Sequence, residues 1–153
     1  MANLETFSGR PSVKIHKRFL GAFLLIALIG FADASYLTAL HYRGAAPACS
    51  LFEGCEKVTS SRYASVGPVP LALIGAGYYL ALVISIVAYL DTGRRELMVF
   101  ATGLSAGGFA ASMVFVHLQL FVIRAICPYC MLSAVSSTLL FVLGLILVRR
   151  RTG

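Results

Sequence analysis

The stretch "CPYCMLSAVSSTLLFVLGLILVRRR", Cys127–Arg151, joins two unlike signals without a linker. A pair of cysteines three residues apart runs directly into an apolar segment, which ends on three arginines. An apolar helix of roughly 20 residues is what a hydrocarbon layer of about 30 Å requires. Read this way, 128–148 is a membrane span, and the cysteine pair sits at its entrance.

Working outward, three more segments pass the same test: 19–42, 69–90 and 97–123. The four spans occupy more than half of the 153 residues, and 59% of the chain is apolar against 12% charged. That composition excludes an ordinary soluble domain. A net charge of +7 is compatible with nucleic-acid binding in principle, but the charges are placed otherwise. Arg10, Lys14, Lys17 and Arg18 precede the first span, Arg94 and Arg95 lie between spans two and three, and Arg149, Arg150 and Arg151 follow the fourth. After four crossings all of these lie on one side, leaving Arg43, Lys57, Arg62 and Arg124 for the other. Loops rich in Lys and Arg face the cytoplasm, so both termini are expected inside, with no nucleic-acid partner. The first span contains Asp33 and exceeds the usual signal-peptide core, so it is read as a retained helix.

The expected architecture is an all-α integral-membrane bundle of four helices in up-down-up-down order. It has a cytoplasmic tail over 1–18, a membrane domain over 19–148 and a basic cytoplasmic tail over 149–153. One long extracytoplasmic loop, 43–68, joins helices one and two. Glycines and prolines break that loop, with a short helix expected around Cys55 to Tyr63. Gly93 in "DTGRRE" is expected to end the second span. "GLSAG", 103–107, carries a small-residue spacing suited to close helix packing within the bundle.

All four cysteines, Cys49, Cys55, Cys127 and Cys130, then fall on the extracytoplasmic side, where disulfides are chemically permitted. Four cysteines allow three complete pairings, and spacing does not choose among them. A zinc site would favour two short knuckles, and only the second pair has that spacing, so no metal is assigned. Inert staples are a second alternative, but a C-x-x-C closes too short a loop to stabilise a fold much. Redox chemistry fits best. Pro128 suits the first turn of a helix, which puts Cys127 at the N-cap, where unpaired N–H groups favour a thiolate. Two pairs, one on a loop and one at the bilayer edge, suggest an electron relay from a soluble partner to an acceptor in lipid. The simplest such acceptor is a quinone. Polar residues gather at the same depth: Asp33, Ser35, Tyr36, Thr38 and His41 in span one, and His117 and Gln119 in span three. Ionisable groups within a span point to function; the alternative is a packing role for Asp33 and His117 and an interface-marking role for His41.

"FADASYLTALHY" (31–42), the loop pair Cys49 and Cys55, "CEKVTSSRY" (55–63) and "LQLFVIRAICPYC" (118–130) together resemble the vitamin K epoxide reductase family in its bacterial form. The resemblance covers about 19–148. It implies a four-helix bundle around a quinone, ubiquinone or menaquinone, in the inner or plasma membrane, with the active site facing the periplasm or cell exterior. It further implies that Cys49 meets a reduced thioredoxin-like partner, Cys55 passes electrons to Cys127, and Cys130 lies against the quinone ring. Ser61 matches the family's loop serine, and Asp33, Tyr36, His117 and Gln119 are candidate pocket residues. The animal members' tyrosine four residues after the last cysteine is Ala134 here, and their span-two asparagine has no match in "LALIGAGYYLALVIS". Thiol oxidation is therefore expected over epoxide reduction, with a non-enzymatic scaffold as the rival outside the enzymes. The chain ends at "RRRTG" without a thioredoxin-like domain, so a separate partner is expected.

Overall fold

The computed structural model describes residues 11–45, 47 and 54–152. Four long helices dominate: α1 (Pro11–Arg43), α3 (Leu71–Thr92), α4 (Arg95–His117) and α5 (Pro128–Thr152). Within them, 17–43, 71–92, 95–123 and 128–150 are long and apolar enough to cross a membrane. Their outward faces confirm the solvent they are built for. Leu25, Ile84, Phe100, Val114 and Phe121 are each more than half exposed, a surface that water would not tolerate but lipid does.

The helices pack in cyclic order, α1 against α3, α3 against α4, α4 against α5 and α5 back against α1. Phe23, Ala27, Leu82, Ile86, Met98, Ala101, Leu140 and Leu147 fill the centre. The approach of α1 to α3 depends on Gly30, because a Cβ there would collide with the ring of Tyr79. At the end remote from the cysteines, the Arg150 guanidinium lies 5.1 Å over the ring of Phe19. The end of α5 and the early turns of α1 therefore share one side of the bundle.

The expected spans 19–42 and 97–123 agree with the apolar stretches 17–43 and 95–123, and the structure adds detail at both. Helix α1 extends beyond its span to Pro11, since nothing between Pro11 and Phe19 breaks a helix and Pro is at home in a first turn. The third span does not run to 123 as uniform α-helix: it passes into a π-helical turn, Leu118–Ile123. Gly93 ends α3 as expected, in the left-handed region (φ 68°), with its N–H donating to the Tyr89 carbonyl at 2.9 Å.

The connection after α1 contains a short helix, α2 (Gly54–Thr59), and a minimal hairpin of β1 (Ser65–Val66) and β2 (Val69–Pro70). Sequence reading supplies the helix, starting one residue earlier and ending sooner, but not the hairpin. Gly67 turns it with φ 63°, the conformation that two-residue hairpins demand at the first central position. The "GLSAG" expectation is also corrected. Gly103 and Gly107 face open space, and the buried contact is made by Ser105 between them. Its hydroxyl donates to the Thr102 carbonyl at 2.7 Å, so a small polar residue faces the bundle without an unpaired group.

Candidate functional site

The site is assembled where α2 docks beside the start of α5. Cys127 precedes Pro128, and its carbonyl accepts the first helical bond, from the Met131 N–H at 3.0 Å. It thus occupies the N-cap, with Cys130 one turn into the helix. The turn leading to it is unusual. Arg124 adopts φ 54°, and both its N–H and that of Ala125 converge on the Gln119 carbonyl. The Gln119 side chain, only 3% exposed, turns back to accept the Cys127 N–H through Oε1 at 3.0 Å. Widening the helix into a π-turn sends Gln119 inward while Leu120, Phe121 and Val122 face lipid. That one side chain anchors the amide at the head of the C-x-x-C, whose remaining residues are held by α5 itself.

Helix α2 brings the loop cysteine to it. Cys55 (1% exposed) and Val58 pack with Cys127 (0%) in a small apolar cluster that also takes in Ile123, Ala125, Tyr129 and Cys130. The close fit rests on Gly54, whose Cα lies directly over the Ile126 backbone. Cys55 is disulfide-bonded, whereas Cys127 and Cys130 are free thiols. Cys49 lies outside the described residues. The Cys127 thiol is pulled down from its ordinary value near 9 to about 7, first by a hydrogen bond from the Cys130 thiol and then by the backbone N–H groups of Cys130 and Tyr129. Burial and the nearby Asp33 carboxyl oppose this. It is a thiol poised to exist as thiolate at neutral pH.

Cys130, but not Cys127, borders a cavity of about 740 Å³ inside the bundle. Asp33 and His41 of α1 share the face of that helix that lines it. Ser61 also lines it, donating its own hydroxyl to the Val58 carbonyl at 2.7 Å. Gln119 lines it too, although its amide oxygen is engaged with Cys127. Two of the candidate residues are placed elsewhere. Tyr36 is on the outer side of α1, its ring 5.6 Å from that of Tyr129. His117 is exposed and stacks on Phe121, ring centroids 4.7 Å apart, facing lipid. Among the described residues, no group of three or more His, Cys, Asp or Glu side chains is placed to hold a metal ion.

Sequence reading missed the polar residues contributed by α3 and α5. The Tyr79 hydroxyl sits among Ser136 Oγ (2.6 Å), Ser133 Oγ (3.1 Å), Ser137 Oγ (3.1 Å) and the Ser133 carbonyl (2.9 Å). Its neighbour Tyr78 also lines the cavity, and its hydroxyl is buried with no hydrogen-bond partner among the described residues. The Asp33 Oδ2 is unpartnered in the same way. The available signal was "GYYL" in an apolar span opposite serines at i, i+3 and i+4 of α5, which place three hydroxyls on one helix face.

The sequence model of the vitamin K epoxide reductase family matches residues 22–145, which takes in α2, α3, α4 and the larger part of α1 and α5. No curated protein matches the chain.

Proposed function

The chain belongs to the vitamin K epoxide reductase family, whose members are membrane oxidoreductases that couple quinones to disulfide chemistry, and from that premise we propose that it is a thiol oxidase. On this reading it re-oxidises a separate thioredoxin-like protein on the extracytoplasmic side of the cell membrane and passes the electrons to ubiquinone or menaquinone. One observation carries the reading: Cys55, Cys127 and Cys130 follow one another from the surface loop through a buried cluster to the wall of an apolar cavity. Staples or a scaffold would have no need of that order.

The residues fit a quinone. The cavity falls in the volume range of small-molecule sites, its walls are mostly aliphatic and aromatic, and unpartnered polar atoms of Asp33 and Tyr78 adjoin it. When bound, the quinone accepts two electrons and two protons. The chain's own part is a sequence of exchanges. A partner thiolate attacks Cys49 of a Cys49–Cys55 disulfide, and the partner's second thiol resolves the mixed disulfide, leaving the partner oxidised and both loop thiols reduced. Cys55 then attacks Cys127 of the Cys127–Cys130 disulfide, releasing Cys130 as thiolate. Cys49 attacks Cys55 in turn, restoring the loop disulfide and expelling Cys127. A leaving thiol with a pKa of about 7 departs readily. Cys127 and Cys130 now hold the electron pair, and closing their disulfide delivers it to the cavity. A bonded Cys55 beside free Cys127 and Cys130 is the state just before that delivery.

Epoxide reduction is the less favoured chemistry. Ala134 lines the cavity at the position where the epoxide-reducing relatives carry a tyrosine, and it offers no hydroxyl. The test is turnover by purified protein given a reduced thioredoxin-like substrate and a quinone. Quinol should form with wild-type protein and fall to background in Cys130→Ala. Undiminished turnover in that variant would sink the relay. Supplying vitamin K epoxide in place of quinone should give no product.

A further inference from the structure

Among the described residues, two buried side-chain polar atoms have no hydrogen-bond partner, and both belong to side chains that line the cavity bordered by Cys130. Asp33, 8% exposed, presents Oδ2 from α1. Tyr78 presents its hydroxyl from α3; the Ser137 hydroxyl lies close enough to act on it electrostatically but makes its hydrogen bond of good geometry to Tyr79, at 3.1 Å. A buried polar atom left unpaired costs about 1–3 kcal/mol, and a bundle that keeps two of them beside one cavity keeps them for a ligand. The bundle also makes room for them. Gly108 of α4 lies against the hydroxyl end of Tyr78, and any Cβ at that position would collide with it.

Resting on the quinone-dependent reading above, we propose that Asp33 and Tyr78 hold the two ring oxygens of the quinone from the neighbouring helices α1 and α3, and that Asp33 is the group that supplies a proton to the oxygen it faces. The chemical match is specific. A quinone is a flat apolar ring with two acceptors, and the cavity supplies an apolar wall with two unpaired polar groups. Only one of them, the carboxyl, readily gives up a proton. The balance closes without any further reagent. As the Cys127–Cys130 disulfide forms, two electrons pass to the ring. Asp33 gives its proton to one ring oxygen and recovers one from the Cys130 thiol. The second proton comes from water, in exchange for the one Cys127 released on becoming thiolate. Tyr78 donates a hydrogen bond throughout and changes no bond.

The two roles predict different failures. Full-length Tyr78→Phe and Asp33→Asn are compared with wild type, using a short-tailed benzoquinone isotopically labelled at its carbonyl carbons. Binding is measured by titration, hydrogen bonding by the infrared stretch of each labelled carbonyl, and turnover by separate kcat and KM. Tyr78→Phe should weaken binding about 3- to 10-fold, the loss of one neutral hydrogen bond, and return one carbonyl to its unbonded frequency with kcat little altered. Asp33→Asn should keep binding within about threefold, shift the other carbonyl, and lower kcat about 100-fold, the scale of a lost general acid. Gly108→Ala, which displaces the Tyr78 hydroxyl without deleting it, should reproduce the Tyr78→Phe binding loss. An unchanged carbonyl frequency in either variant overturns the assignment for that residue, and a wild-type kcat in Asp33→Asn overturns the proton role. If Asp33→Asn does not fold, Tyr78→Phe, which changes almost no volume, decides the seating alone. Failure of wild-type protein itself to reduce quinone would instead strike the thiol-oxidase reading, so the two failures remain distinct.

Discussion

Gly54→Ala should disconnect the two cysteine pairs while leaving each intact. A Cβ built at Gly54 would stand 2.6 Å from the Ile126 carbonyl oxygen, 2.9 Å from its nitrogen and 3.2 Å from its carbonyl carbon. All three are backbone atoms, and the linker they belong to is pinned by Gln119, so no flexible side chain can yield. Ordinary contact begins at 3.4 Å, so α2 must withdraw by about 0.8 Å. Cys55, the next residue, withdraws with it from the cluster it shares with Cys127. Overpacking of this kind costs about 1–3 kcal/mol, and disulfide exchange needs three sulfurs close to in line. Misplacement near 1 Å is worth up to about 100-fold in rate, so a loss of about 10- to 100-fold is expected. The assay uses a Cys49→Ala background, in which Cys55 can attack Cys127 but no loop thiol resolves the product. After quinone is added to oxidise Cys127 and Cys130, the Cys55–Cys127 bond is followed by non-reducing peptide mapping. Gly21→Ala, where an added Cβ meets nothing within 4 Å, is the control. Formation of the bond at the control rate in Gly54→Ala would refute the claim that α2 docking sets the transfer geometry.

The remaining expectations follow from single contacts. Gln119→Leu strands the buried Cys127 N–H and should destabilise the protein by about 1–3 kcal/mol in detergent unfolding; Gln119→Glu keeps the acceptor but should raise the Cys127 titration above about 7, because a carboxylate disfavours a neighbouring thiolate. Cys127 should titrate near pH 7 by ultraviolet thiolate absorbance, and Cys130→Ala should move the midpoint upward, since the Cys130 thiol is the largest cause of the shift. Because the folded value lies below the unfolded one, this thiolate stabilises the reduced protein fully above about pH 9, and that contribution is lost as pH falls to about 7. A midpoint near 9 would remove both statements. Tyr79→Phe should cost about 1 kcal/mol in thermal unfolding because its hydroxyl serves three serines, whereas Tyr78→Phe, which removes an unpaired buried hydroxyl, should stabilise the quinone-free protein by about 1–3 kcal/mol. Equal losses in the two variants would contradict the difference in their hydroxyl partners.

What the sequence discloses and what it withholds divide along a physical line. The number of spans, their approximate bounds and the N-cap position of Cys127 depend on local signals: apolar length, Pro128 after a cysteine, Gly93 at a helix end. Those are legible because the backbone decides them within a turn or two. The docking of Cys55 against Cys127 is a contact across 72 positions of sequence, and only the family resemblance pointed to it. The pocket residues show the limit most clearly. His117 and Gln119 are two residues apart near the end of one helix, equally polar and equally eligible by depth. A regular α-helix would set them roughly 200° apart, so at most one could face inward, but periodicity alone does not say which. The π-turn that begins at Leu118 decides the matter. It carries Gln119 into the bundle, where it holds the Cys127 amide, and leaves His117 stacked on Phe121 toward lipid. A π-turn has no composition of its own; it is set by what the chain must reach at its end. Here that is the N-cap of the helix carrying the C-x-x-C. Gln119 is therefore a positioning residue for Cys127, one turn before the Cys130 thiol that borders the cavity with Asp33 and Tyr78, and its amide oxygen is occupied before any quinone arrives.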